Sequence, residues 1–347
     1  MEGAKMSKSF GNIIPMREAL AKFGADPIRL SVMSAAELLQ DADFSPTIAK
    51  SMGDRLTRLY KFVSQSTQTS REAKVATESL TAIDKWMLSR LQQHIKKATE
   101  AMEKLAVRKA IHTVMYELDQ DFQWYKKRTA DSVSKRKATV TYVIREVTDA
   151  QIRMLAPVAP HMCEELWELM GEKEFLSLTP WPTLDESKID FVAEEKEKLI
   201  TSVLEDTQNI LKATGATPKK VCYYVAAPWK WQAWLDTLER FAKGKIVQKD
   251  LMKTLMAKPE LRAKADKVSK FIGQIIDEIN RMPEERKEQL LLVKLIDETQ
   301  VLSEAKAFLG KELKAKIEVS GEEETGRYDP KSRAQLAKPY RPAIFLE

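Results

Sequence analysis

The sequence has little cysteine. Cys163 and Cys222 are the only two in 347 residues, too few for a disulfide framework. They stand far apart in apolar text with no CxxC and no histidine cluster nearby, so the spacing of a zinc site is missing as well. Both read as packed thiols, which fits a reducing cytoplasm. No apolar run approaches the roughly 18 residues that would suggest a membrane span. Nor does the N-terminus carry a charged and then apolar leader, so secretion is not indicated. What is present is 44% hydrophobic and 31% charged, the composition of a soluble globular protein, at a length that suits two or three domains.

The net charge of +6 is modest, but it is unevenly spread. Residues 85–137 carry 13 Lys/Arg against 6 Asp/Glu, an excess of +7 that by itself accounts for the chain's basic balance. A concentrated excess of that kind is a candidate footprint for a nucleic-acid backbone; a solvated helical face is the plainer alternative.

Hydrophobic spacing organises the chain. Pro15 starts a short helix that Gly24 closes, and Asp26 is expected to cap a second, with Pro27 at its first position and Ile28 and Leu30 inward. Ser45-Pro46 opens a long helix with Ile48, Met52, Leu56, Leu59 and Val63 on one face, and the Ser/Thr/Gln-rich residues 64–79 should be a connection. Three more amphipathic helices follow. Leu88, Leu91, Ile95, Ala98 and Met102 line the first. Ile111, Met115, Leu118, Phe122 and Tyr125 line the second, and Val140, Ile144, Val147 and Leu155 the third. Four such helices with short links imply an antiparallel bundle.

Beyond the bundle the period changes. A helix over 194–214 leads to strand-like text at 219–225, then to a helix opened by Pro228 with Trp231 and Trp234 on adjacent turns. Residues 248–281 read as helical, 290–296 as a buried strand by length with a buried helical turn as the alternative, 303–313 as a helix, and 316–320 and 343–346 as strands. A small α/β domain results. His161 beside Glu164 and Glu165 lacks a third ligand and is read as a capping or packing residue; no metal site is expected.

The stretch most suited to specific chemistry is Lys5-Met6-Ser7-Lys8-Ser9, followed by Phe10-Gly11-Asn12. Two ammonium groups three residues apart, with serine hydroxyls beside them, can wrap a polyphosphate as flexible point charges. Gly11 and Asn12 tolerate the positive φ of a turn. KMSKS followed by GN resembles the signature loop of class I aminoacyl-tRNA synthetases. GADPIRL at 24–30 resembles the text that follows that loop, and LAPVAPHMCEELW at 155–167, with Trp181-Pro182 after it, resembles the end of an anticodon-binding bundle. DADFS at 41–45 and the ending from Tyr328 to AKPYRPAIFLE look like leucyl-tRNA synthetases of archaeal or eukaryotic type.

That resemblance implies a mainly α fold, an anticodon-binding helical bundle followed by a small α/β C-terminal domain. Residues 1–40 would hold the loop and connecting helices at the end of a catalytic domain, 41–185 the bundle, and 186–347 a tRNA-binding domain. It implies ATP-dependent formation of leucyl adenylate and transfer of the leucyl group to tRNA(Leu) in the cytoplasm, with Mg2+ accompanying ATP. Lys5 and Lys8 would stabilise the phosphate oxygens, and Ser7 and Ser9 would shape the loop, as positioned donors at developing charge do. Expected tRNA contacts are Arg90, Lys97, Arg108, Lys126, Lys127 and Arg128 on the bundle and Lys338, Tyr340 and Arg341 near the terminus, the latter toward a long variable arm.

A departure from the family is that the sequence holds no HIGH-like motif, Rossmann halves or editing domain. The chain is therefore expected to be a C-terminal portion, inactive alone, that receives ATP and leucine through a catalytic half supplied elsewhere. The competing readings are a valyl- or isoleucyl-type fragment, which would predict a coiled-coil or zinc-bearing terminus, and a non-catalytic tRNA-binding module, against which the intact KMSKS argues.

Overall fold

A computed structural model describes residues 9, 11, 13–37, 40–67, 79–131, 134–242 and 248–347. The chain forms two compact units, Met1–Asp190 and Phe191–Glu347. The first is helical and the second is a helical domain built on a small sheet, the mainly α architecture expected from the sequence.

In the first unit, α1 (Met16–Phe23) ends at Gly24, whose φ of 84° turns its N–H back to the Leu20 carbonyl. The second helix, α2 (Ala25–Ala35), begins at once and buries Ile28 and Leu30 as expected. Asp26 does not cap it. Gly24 occupies that position, and the Asp26 carboxylate is buried against a different helix start, described below.

The next helix, α3 (Pro46–Thr67), is opened by the Ser45 hydroxyl, which accepts the Ile48 N–H at 3.4 Å. Its buried stripe is Ala49, Met52, Leu56 and Val63. Ile48 lies one position off that stripe and is 39% exposed, contrary to its expected inward place. The helix also runs into the expected connection. Ser64 and Ser66 satisfy their hydroxyls on the carbonyls of Lys61 and Val63, both at 3.0 Å, so polar text here is compatible with helix.

Then come α4 (Ala82–Glu103), α5 (Val107–His112), a π turn over Thr113–Glu117, α6 (Leu118–Thr129), α7 (Lys137–Leu155) and α8 (Pro160–Leu169). The fourth helix, α4, packs against α6 and α7. Leu88, Leu91, Ile95, Leu118, Phe122, Tyr125, Val140, Val147 and Leu155 fill the core between them. One buried carboxylate ties this bundle. Asp84 accepts from the Thr81 N–H at 2.8 Å and the Tyr125 hydroxyl at 2.7 Å, and pairs with Arg136. A buried charge is tolerable only when paired and hydrogen-bonded in this way.

The second unit runs α9 (Phe191–Thr214), β1 (Lys220–Val225), α10 (Pro228–Ala242), α11 (Gln248–Met256), α12 (Pro259–Arg262), α13 (Ala265–Asn280), α14 (Glu284–Val293), α15 (Glu298–Glu304), α16 (Lys306–Leu313), β2 (Lys316–Gly321) and β3 (Ala343–Leu346). The sheet order is β2-β1-β3. Tyr223 in the central strand pairs with Val319 of the parallel β2 and Ile344 of the antiparallel β3. Trp229, Trp234, Leu238, Leu255, Phe271, Ile275 and Leu290 form the helical core beside it.

One expectation fails here. Residues 290–296 are not a strand. Pro283 and an acidic first turn start a helix that carries the leucine run, burying Leu290 and Val293 on one side and leaving Leu292 68% exposed, before Lys294 at φ 58° ends it. A buried strand would have covered all three. Residues 248–281 are helical as expected, in three helices separated where Pro259 and the turns beside it interrupt the ladder.

Candidate nucleic-acid interface

The basic segment builds its polar surface along the α4–α6 contact. One helical turn separates Arg90 from His94, and Lys97 lies three residues further on, so all three project toward α6. Arg90 Nε and His94 Nε2 both reach Asp121 Oδ2 at 2.8 Å, and Lys97 Nζ meets the two oxygens of Glu117 at 2.7 and 2.6 Å. His112 Nδ1 lies 3.2 Å from the same Glu117. Burial alone would push the Asp121 carboxyl up, but the His94 hydrogen bond and the Arg90 charge hold it below the usual carboxylate range. Burial likewise opposes Glu117, and Lys97, His94 and His112 outweigh it to lower that carboxyl too. Two of the expected RNA contacts, Arg90 and Lys97, are therefore partly neutralised within the bundle.

The other expected bundle contacts are placed differently. Arg108 and Lys127 are exposed and Arg128 is half-buried. Lys126 is also half-buried, its ammonium 4.4 Å from the Phe62 ring centre and 4.9 Å from that of Phe122. Burial lowers its pKa, and Asp119 opposes that shift.

Sequence reasoning missed the feature behind Lys126. A π turn leaves backbone carbonyls out of the regular ladder, and two side chains from other helices answer them. Gln151 Nε2 donates to the Val114 carbonyl at 3.2 Å and Arg55 Nη1 to the Met115 carbonyl at 3.3 Å. The Arg55 guanidinium also stacks 3.9 Å from the centre of the Tyr116 ring. The nearest sequence signal was Gln151 itself, the longest polar side chain among the buried residues of α7.

In the second unit, Lys338 pairs with Glu278 and Arg341 is exposed, with backbone hydrogen bonds linking the two residues. Both border a shallow groove of 560 Å³ shared with Arg333, Asn209 and Leu336. Tyr340 is committed to packing. Its ring lies 4.9 Å from Trp231 and 5.4 Å from Trp234, its hydroxyl donates to the Lys294 carbonyl at 2.7 Å, and its N–H donates to Glu298 at 2.7 Å.

At the N-terminus, Ser9 is exposed and Gly11 has φ 65°. Lys5, Ser7 and Lys8 lie outside the described residues. Among the described residues no group of three or more His, Cys, Asp or Glu is placed to hold a metal ion, and no helix is long and apolar enough to cross a membrane.

Comparison with known proteins bears on this surface directly. Residues 84–223 match the family model described as the anticodon-binding domain of tRNA ligase. The leucine–tRNA ligase of Methanosarcina barkeri is 36% identical over 347 residues, covering 100% of this chain and 35% of that protein. Along its whole length this chain is similar to the C-terminal part of leucine–tRNA ligases. The leucine–tRNA ligase of Pyrococcus abyssi gives the same picture, 36% identical over 350 residues, covering 100% of this chain and 33% of its own length. The chain thus spans about a third of the leucine–tRNA ligases it matches. Among solved structures, the ternary complex of Agrobacterium radiobacter K84 agnB2 LeuRS-tRNA-LeuAMS resembles 76% of this chain and 28% of that chain, with a TM-score of 0.46 and 20% sequence identity.

Proposed function

We propose that this chain supplies the KMSKS loop and the tRNA-docking units of a leucine–tRNA ligase, which forms leucyl adenylate from leucine and ATP and transfers the leucyl group to tRNA(Leu). The observation that carries the reading is similarity to leucine–tRNA ligases along the entire chain, the KMSKS segment included. Residues 1–40 are assigned to the edge of the catalytic domain, 41–185 to the bundle, and 186–347 to the terminal tRNA-binding domain. Lys5 and Lys8 bring two ammonium charges to the ATP phosphates as pyrophosphate departs, and Ser7 and Ser9 hold the loop by hydrogen bonds. Fixed donors of this kind lower the barrier by meeting charge as it develops. Mg2+ enters as the partner of ATP.

On the RNA side, exposed Arg108 and Lys127, with Arg128, are assigned to phosphate contacts that position tRNA without reading its sequence. Arg90 and Lys97 contribute more weakly while their carboxylate partners hold them. Lys126 is assigned to the same surface. Lys338 and Arg341 face the variable arm, with Tyr340 setting the backbone that carries them. A cytoplasmic setting accords with two free, buried cysteines.

The 347 residues contain no HIGH-like motif. Alone, they are expected to give no leucine-dependent ATP–pyrophosphate exchange. Exchange should appear when a HIGH-bearing catalytic half is supplied and should fall when Lys5 or Lys8 is replaced by alanine. Exchange by the chain alone, or exchange in the complemented enzyme that is indifferent to both lysines, would refute the assignment.

A further inference from the structure

A cleft of 230 Å³ opens between α3 and the π turn, lined in part by Arg55, Arg58, Leu59, Phe62, Met115 and Lys126. It is smaller than the pockets of about 300–1,000 Å³ that take drug-sized ligands, so its natural content is one small ring system with a short appendage. The floor is apolar, formed by the buried Leu56, Met115 and Phe122. Its rim carries two cations, the exposed Arg58 and the half-buried Lys126 whose ammonium is held against Phe62, and one carboxylate, Asp119. Gln151 and Gln123 also line it, their amide nitrogens donating to the Val114 carbonyl and to Asp119, which leaves their amide oxygens as acceptors.

The π turn fixes one wall. Arg55 is doubly held, by the Met115 carbonyl and the Tyr116 ring, so a planar cation stands at the edge of the cleft with little orientational freedom left to lose on binding. An apolar slot with an aromatic wall, an ordered guanidinium and two further cations matches a flat polar ring joined to an anion. Recognition of single-stranded RNA uses the same elements: a base laid on aromatic or guanidinium planes, amide contacts at its edge, and a cation at its phosphate.

From this geometry we infer that the cleft is a pocket for one unstacked nucleotide of a docked RNA, its base against Phe62 and Leu59 and its phosphate between Arg58 and Lys126. The inference rests on the RNA-docking reading of the first unit and adds to it a site that grips a single base rather than the backbone alone. The burial that lowers the Lys126 pKa also leaves its ammonium poorly hydrated, which favours direct pairing with an incoming phosphate.

The test has two arms on the full chain. In the first, AMP, GMP, CMP and UMP are titrated separately while the methyl resonances of Met115, Leu56 and Leu59 are followed. At least one nucleotide should shift these methyls saturably. Arg58→Ala and Phe62→Leu should each weaken that binding about fivefold or more, the latter variant keeping the packing volume while removing the aromatic face. No shift with any of the four, or an affinity that neither variant changes, overturns the pocket.

In the second arm, leucine tRNA bound to the chain is probed chemically. One nucleotide should be protected in the parent chain and reactive with Phe62→Leu, while backbone protection elsewhere persists. Bound tRNA whose protection pattern ignores the variant also overturns the inference. Mononucleotide binding without tRNA binding would leave the nucleotide pocket standing and refute the RNA-docking reading instead.

Discussion

Asp26 caps a helix to which it does not belong. Its Oδ2 accepts the Met162 N–H at 2.6 Å, and Oδ1 lies 2.9 Å from His161 Nδ1. The residue at the N-cap position of α8, Ala159, has no side-chain acceptor, so an orphan N–H of the first turn is answered by a carboxylate from α2. Negative charge there is also favoured by the helix dipole. Because Asp26 is buried, removing it leaves the Met162 N–H without its partner. Asp26→Ala is expected to destabilise the chain by about 2 kcal/mol, and Asp26→Asn, which retains an acceptor, by roughly half as much. Urea denaturation of the three proteins measures this, and an alanine variant as stable as the parent would show that Asp26 is not the cap of α8.

The basic surface divides into two groups that should separate under mutation. Arg108→Glu is expected to weaken tRNA binding and reduce the slope of log K against log salt by about one unit for the phosphate no longer neutralised, with little change in stability. Arg90→Gln and Lys97→Gln strip a partner from Asp121 and Glu117. They should lower the melting temperature slightly, by no more than about 1 kcal/mol of stability since both cations are partly exposed, and change the salt slope less. Titrations at several salt concentrations beside thermal melts check both halves.

Glu298 supplies a pH dependence. Burial raises its carboxyl to about 7, against hydrogen bonds from the Tyr340 and Ala226 backbones and the Trp231 side chain that lower it. In the unfolded chain the group titrates near the ordinary glutamate value of 4.5. A carboxyl that binds its proton more tightly when folded costs stability as pH rises between the two values. Stability should therefore decline from about pH 4.5 to about pH 7 and level off above, by an amount on the order of 3 kcal/mol. Glu298→Gln should flatten that part of the profile. Urea midpoints at pH 5 and pH 8 decide it, and a parent chain with the same Glu298-dependent stability at both would contradict the burial argument.

The π turn gives a further stability test. Gln151→Leu keeps the buried volume but leaves the Val114 carbonyl without its side-chain donor, which is expected to cost about 1–3 kcal/mol. Denaturant unfolding reads the loss, and a neutral substitution would show that the turn does not depend on Gln151.

Elements whose hydrophobic period is local and strong were legible in the sequence. The spacing of Leu88, Leu91 and Ile95, or the β-branched and aromatic text of β1, needs no tertiary information, and each is buried as its pattern requires. The leucines from 290 misled because a short apolar run carries no period of its own; what decided its fate was Pro283 and the acidic turn before it. Asp26 misled for a different reason. Its carboxylate caps a helix, but not the one expected: the donor it serves lies far along the chain, where no local rule reaches. The same limit hid the carboxylate partners of Arg90 and Lys97. Their positive charge is visible in the sequence, and its neutralisation by Asp121 of α6 and Glu117 of the π turn is a property of the packed bundle. The π turn left no sequence mark beyond Gln151.

The central claim is that this chain docks leucine tRNA, and affinity for that RNA tests it most directly. Titrating the full chain with a leucine tRNA and with a copy whose variable arm is shortened should give clearly tighter binding to the intact RNA, with an affinity that falls steeply as salt is raised. Equal affinity for the two RNAs, or a flat response to salt, would contradict the claim.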